Sequence, residues 1–213
     1  MDNTDRSAGE RFIKNLTGAG TKEIQGYLAE IKADRDFRQQ LEDNRRKAGS
    51  GRYSAWGIGV GSPLAAVLYT LGRLRKPGIV VETGVASGIS SSYFLLALER
   101  AGHGELYSID RDKQSGWLIP DYLRRRWHLV EGLSSEKLGP VLEKLGRIDV
   151  FFHDSGHSYE NMYREFRLAW DHLRAGGLLL SHNIDMSDAF PAFCRETGVT
   201  GYTLEETGGI VKK

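Results

Sequence analysis

Apolar positions along this chain change their period repeatedly, and each change marks an element. Short runs rich in β-branched and aromatic residues at 79–83, 105–109, 127–131 and 148–153 read as strands. Between them the apolar residues recur at helical spacing, which predicts helices over 90–100, 135–145 and 158–173. In the last of these Tyr159, Met162, Tyr163, Phe166, Ala169, Trp170 and Leu173 keep one face. Pro63 suits a first helical turn and opens a helix to about residue 74. Residues 111–120 read as a loop, with a short helix near Tyr122. Gly176-Gly177 is expected to end the long helix, as a glycine past a helix C-terminus does. A short buried strand at 178–181, a helical stretch at 187–196 and a hairpin follow. The hairpin pairs 202–205 with 210–212 around a turn at Gly208-Gly209.

The N-terminal part has a different texture. Residues 1–20 are polar and read as frayed. From 22 to 46 a narrow apolar stripe of Ile24, Tyr27, Leu28 and Ile31, continued less regularly by Phe37 and Leu41, predicts an amphipathic helix. Residues 1–47 therefore read as a helical arm, packed on the main domain or on a second copy as a homo-oligomer contact. Residues 48–213 form the main domain, entered through a glycine-rich joint at 48–63. Strands alternating with helices predict an α/β fold with a mainly parallel sheet, closed by an antiparallel C-terminal hairpin; the strands number seven. Right-handed crossovers bring the C-terminal ends of parallel strands to one edge, where ligands bind.

Composition narrows the function. The chain has 213 residues, 29 Lys and Arg against 28 Asp and Glu, and one cysteine, Cys194. The balance of charge offers no footprint for nucleic acid or an anionic membrane surface. A single cysteine excludes an internal disulfide and a multi-cysteine zinc site. No apolar run approaches the roughly 18 residues of a membrane span, and the polar N-terminus does not resemble a signal peptide, so a cytoplasmic protein is expected. The 26 glycines exceed the usual ~7%, so their placement becomes the informative feature.

The first strand ends in VVETGVASGISSS, residues 80–92. Gly84 and Gly88 allow a sharp turn, and the helix behind them presents its N-terminus to a ligand. A dinucleotide fingerprint needs a third glycine, but position 86 is alanine. The glycines of GIGVGS, 57–62, have the wrong spacing and no strand before them. Glu82 before the turn would repel a pyrophosphate and suits a ligand ammonium. Asp110 ends the second strand, at the spacing of an acid that takes both ribose hydroxyls. A nucleoside with an amino-acid tail fits this pair. A nicotinamide-dependent oxidoreductase is the alternative, and a non-catalytic binding module is a third reading.

VETGVASGISS followed by SID resembles the binding loop of class I S-adenosylmethionine (AdoMet)-dependent methyltransferases, over about residues 54–213. The resemblance implies a Rossmann-like doubly wound sheet. It implies that Glu82, Gly84, Ser87, Gly88 and Ser90 line the methionine end of AdoMet, that Asp110 holds the ribose, and that Leu133 and Ser134 edge the adenine. FFHDSGHSYENMYREF, 151–166, resembles the D-x-x-H-x-Y-E signature of bacterial small-molecule O-methyltransferases. It places Asp154 beside the methyl-transfer centre, in contact with AdoMet and acceptor. LRAGGLLLSHN, 173–183, resembles the end of strand five in that group. In the related catechol-type enzymes a divalent metal binds at positions that correspond to Asp154, His182 and Asn183. An acid normally stands where this chain has His182, and some members carry an acid where it has Gly156. Magnesium prefers oxygen ligands, so His182 reads either as a loop residue or as a ligand for a softer metal. With no acid at 156, His157 is the candidate base, against a helix-capping or tyrosine-bonding role. His153 reads as structural. The acceptor implied is a small molecule.

Overall fold

The structure, a computed structural model, describes residues 3–48 and 62–213. The glycine-rich joint, apart from its ends, lies outside the described residues. The chain divides into two compact units. One is helical and comprises Met1–Lys76, Val85–Leu106 and Gln114–His128; the other carries the sheet and comprises Pro77–Gly84, Tyr107–Lys113 and Leu129–Lys213.

The helical unit holds α1 (Asn3–Thr17), α2 (Thr21–Ala33), α3 (Arg35–Ala48), α4 (Pro63–Arg75), α5 (Ile89–Ala101) and a short 3₁₀ helix, Asp121–Arg126. Residues 3–17 are helical rather than frayed, because Phe12, Ile13 and Leu16 form a short apolar stripe that is fully buried. The helix expected over 22–46 is two helices. Asp34 leaves helical geometry, with ψ at 87°, and its side chain accepts the backbone N–H of Phe37 at 2.9 Å to start α3. That break explains the irregular spacing. Ile24 and Ile31 bury one stripe, and Phe37 and Leu41 bury a second in a new phase. Phe37 meets the ring of Tyr93 edge-on at 5.1 Å. The apolar stripes are thus covered within the same chain. Glu30 pairs with Arg73 and Arg100 and bonds the Tyr69 hydroxyl. Burial, with the Glu30 hydrogen bond, pushes the Tyr69 phenol up to about 12.

The sheet has strands β1 (Ile79–Thr83), β2 (Glu105–Asp110), β3 (Trp127–Glu131), β4 (Ile148–His153), β5 (Leu173–Ser181), β6 (Tyr202–Leu204) and β7 (Thr207–Val211). Their order is β3-β2-β1-β4-β5-β7-β6. β4 lies parallel to β1 and β5, and β7 lies antiparallel to β5 and β6. This is the mainly parallel, Rossmann-like sheet with an antiparallel end. Helices α6 (Ser134–Leu145), α7 (Tyr159–His172) and α8 (Ala189–Thr197) belong to the same unit. Val81, Phe151, Leu179 and Ile210 from the strands pack with Leu138, Leu142, Met162, Phe166 and Phe193 from these helices. The apolar face of α7 is therefore a core face.

Two glycine pairs act differently from expectation. Gly176-Gly177 does not end α7, which stops at His172; both lie inside the nine-residue β5. Gly176 has φ 76°, and the β4–β5 register shifts beside Ile148. A side chain on Gly177 would press on the backbone oxygens of Arg174 and Asp149, at 2.9 and 3.1 Å. The pair accommodates an irregularity within the sheet. Gly208-Gly209 likewise lies in β7 rather than at the turn, which falls at Glu205-Glu206 with Glu205 at φ 50°. The ring of Phe190 occupies the place of a Gly208 side chain, 2.6 Å from where a Cβ would sit. Packing on an aromatic ring, not a turn, requires that glycine.

Candidate active site

Four backbone hydrogen bonds draw successive strand ends into one row on the sheet unit. Gly84 N–H donates to Ile109, Gly132 to Asp110, Asp154 to Thr83 and His182 to His153, at 2.8–2.9 Å. Glu82, Gly84, Asp110, Asp154 and His182 are therefore brought to one edge, with Leu133 and Ser134 directly after Gly132 at the start of α6.

Gly84 has φ 81°, and a Cβ there would lie 1.9 Å from the Asp154 carbonyl oxygen. The end of β1 can approach the end of β4 this closely only without a side chain. Glu82 is fully buried and accepts a hydrogen bond from Ser108 Oγ at 2.8 Å. Asp110 is half-buried and its Oδ1 accepts the backbone N–H of Asp112 at 2.9 Å. Leu133 is exposed, and Ser134 Oγ lies 3.5 Å from Ser155 Oγ.

Ser87, Gly88 and Ser90 lie in the helical unit. Gly88 starts α5 in the left-handed region, and no side chain caps that end. Backbone N–H groups of Gly116 and Leu118 donate to the carbonyls of Ala86 and Ser87 at 2.9 Å. The 114–119 loop thereby fixes the turn, and a Cβ on Gly88 would lie 2.8 Å from Gly116. Trp117, half-buried in that loop, has its indole N–H enclosed without a hydrogen-bond partner among the described residues. Arg124 donates to the Gly116 carbonyl at 2.8 Å, and Arg125 and Arg126 both engage Glu99.

A buried cluster around Glu165 was not legible in the motifs. Glu165, fully buried on α7, receives Thr83 Oγ1 at 2.6 Å and sits 2.7 Å from His153 Nδ1. Its other oxygen accepts from Ser155 Oγ at 2.8 Å and Asn161 Nδ2 at 3.1 Å. Burial alone would raise its pKa, but the His153, Ser134 and Thr83 interactions outweigh burial and hold it below the usual range. The signal in the sequence was an acid on the apolar face of α7, one residue before Phe166 and three after Met162. Glu206, in the β6–β7 turn, carried no signal at all.

His157 precedes α7, but the cap is Ser158, whose side chain accepts the Asn161 N–H at 3.3 Å. His157 is half-buried. Burial lowers its pKa, with His153 and His182 acting in the same direction against Asp154 and Glu165. His182 bridges two acids: Nδ1 lies 3.1 Å from Asp154 Oδ1 and Nε2 lies 3.0 Å from Glu206 Oε1. Burial alone would lower its pKa, but the Asp154 hydrogen bond and the charges of Asp154 and Glu206 raise it. Asn183 follows in the left-handed region, φ 53°. His103 and His128 are exposed, and Cys194 is partly buried.

Residues 81–184 match the family model described as "Methyltransferase domain". The span runs from β1 through the end of β5, the whole row of strand ends described above. Over those residues the chain is similar to a methyltransferase domain. Several solved structures share the fold. An O-methyltransferase from Bacillus cereus in complex with SAH is 15% identical with TM-score 0.69, covering 94% of this chain and 100% of that one. The O-methyltransferase TomG from Streptomyces achromogenes, involved in tomaymycin synthesis and in complex with SAM, is 16% identical with TM-score 0.64 and covers 84% and 91%. The SAH-bound methyltransferase PaMTH1 from Podospora anserina is 15% identical with TM-score 0.62 and covers 83% and 87%. Curated proteins include no match. No helix among the described residues is long and apolar enough to cross a membrane.

Proposed function

We propose that the protein is an AdoMet-dependent methyltransferase that transfers a methyl group to a hydroxyl oxygen of a small-molecule acceptor, with His157 as the base. The observation that carries the reading is a half-buried imidazole, kept from protonation by burial, three residues beyond the Asp154 strand end. A neutral imidazole near pH 7 can take a hydroxyl proton as the oxygen attacks.

The donor set suits AdoMet. A carboxylate at Asp110 matches a ribose diol, Leu133 offers apolar surface to an adenine edge, and Ser134 lies beside it. Glu82, held by Ser108, places negative charge at the Gly84 turn, on the side expected to receive an ammonium group. Ser87, Gly88 and Ser90, which the family resemblance also implies for the cofactor, lie in the helical unit. When bound, AdoMet supplies an electrophilic methyl group on a sulfonium and leaves as the neutral thioether. Asp154 orients the acceptor, and His157 accepts its proton as the new O–C bond forms. Positioning of the two reactants supplies much of the rate.

The residues at 154, 182 and 183 do not fit a divalent metal. Among the described residues no group of three or more His, Cys, Asp or Glu is placed to hold one. Both nitrogens of His182 are engaged by carboxylates, Asp154 and Glu206, rather than directed at an open position. No step is assigned to a metal.

The test is calorimetry with AdoMet, SAH and NADH, followed by turnover on a panel of phenolic and sugar hydroxyls. AdoMet should bind and NADH should not. His157→Asn should keep AdoMet affinity and lower kcat by roughly 10²–10⁴, the usual contribution of a positioned base. Full turnover by His157→Asn would remove His157 from the mechanism.

A further inference from the structure

Two buried nitrogens near the site have no hydrogen-bond partner among the described residues: Nε2 of His153 and Nδ1 of His157. The rings meet edge-to-face, with centroids 5.8 Å apart. A buried polar nitrogen left unpaired is costly, and such groups in native proteins are paired by protein or by an ordered water. Two orphan nitrogens on neighbouring, edge-to-face rings are the minimum set of partners for one buried water.

The direction of the hydrogen bonds follows from Glu165. That carboxylate is fully buried and receives Thr83, Ser155 and Asn161. An ionised carboxylate only accepts, so the 2.7 Å contact to His153 Nδ1 puts the proton on Nδ1. In the neutral ring Nε2 of His153 is then an acceptor. A water that donates to His153 Nε2 has its oxygen lone pair available for an N–H from His157 Nδ1. The second nitrogen of His157, Nε2, is then the bare one.

We propose that a hydrogen-bonded chain runs Glu165–His153–water–His157, and that Glu165 and His153 are positioning residues that hold His157 as the Nδ1–H tautomer with its Nε2 lone pair available to the acceptor. This rests on His157 being the base. In the reaction the acceptor O–H proton passes to His157 Nε2, its oxygen electron pair forms the bond to the methyl carbon, and the C–S pair remains on sulfur. The imidazolium so formed keeps its Nδ1–H on the water, which the Glu165–His153 pair polarises. The tautomer is set before the acceptor arrives, so no rearrangement is needed at the moment of proton transfer.

The direct test is ¹⁵N NMR of histidine side chains in the full-length protein at a pH where His157 is neutral. The expected result is a protonated Nδ1 and an unprotonated Nε2 for His157, without added acceptor. The reverse tautomer, or a fast mixture, would overturn the proposal whatever the activity. His153→Phe keeps a ring beside Phe166 while removing the acceptor nitrogen. It should shift His157 toward the Nε2–H form and lower kcat roughly tenfold, a fraction of what a positioned base supplies, with KM unchanged. An unaltered tautomer in His153→Phe would equally overturn the chain. If that variant does not fold, the wild-type spectrum still decides. The base assignment fails separately: a wild-type Nδ1–H tautomer together with full turnover by His157→Asn would leave the chain standing and remove its catalytic use.

Discussion

Replacing Gly84 with alanine adds one methyl group at the point where β1 meets β4. Two costs arise from the structure. Gly84 sits at φ 81°, where an L-residue costs about 1–2 kcal/mol. The new Cβ would also lie 1.9 Å from the Asp154 carbonyl oxygen and 2.5 Å from its carbon, both backbone atoms that cannot swing aside. Forcing extra atoms into a packed site costs about 1–3 kcal/mol more. The sum, about 2–5 kcal/mol, is a large share of the 5–15 kcal/mol that holds an ordinary domain together. Gly198, which ends α8 at φ 64°, separates the two costs, because a Cβ there meets nothing within 4 Å. Gly198→Ala should therefore show only the first cost. Urea unfolding of both variants gives the comparison, with Gly84→Ala less stable than Gly198→Ala by about 1–3 kcal/mol. At about 2–4 °C per kcal/mol the same order should appear in Tm. Gly84→Ala should also weaken AdoMet binding, since relief of the overlap displaces Asp154. Equal stability of the two variants would refute the close approach of β1 and β4 as the reason for this glycine.

Asp110→Ala removes the acceptor expected to hold the ribose and should weaken AdoMet by about 1.5–3 kcal/mol, roughly 10- to 150-fold, in calorimetry; unchanged affinity would move the ribose elsewhere. His182 has a folded-state pKa above its unfolded value of about 6.5, so its ionic contribution is fully present below that value and is lost as pH rises through the folded one. The stability gap between wild type and His182→Gln should therefore be wider at pH 6 than at pH 9 in urea titrations, and a gap that grows with pH would contradict the bridge to Asp154 and Glu206. Ser158→Ala removes the cap of α7 and should cost about 0.5–2 kcal/mol, while Ser158→Asp should restore most of it.

The sequence alone determined the elements whose local rules were decisive. β1, β3 and β4 lie at the residues their apolar runs predicted, and α4 begins at Pro63. Asp110, Asp154 and His182 fall at strand ends because parallel strands joined by helices must return the chain to one edge. Where a residue serves a distant neighbour, local rules misled. Gly176-Gly177 and Gly208-Gly209 look like stops and turns, yet one pair absorbs a register shift inside β5 and the other admits the ring of Phe190. α1 was hidden because three apolar residues in a polar stretch make a weak stripe until other helices cover them. Only the folded chain could pair His182 with Glu206, 24 residues away, or set Glu165 under His153 and Thr83. A side chain's protonation and hydrogen-bond direction depend on which groups burial gathers around it, and that gathering is settled by tertiary packing rather than by neighbours in the sequence.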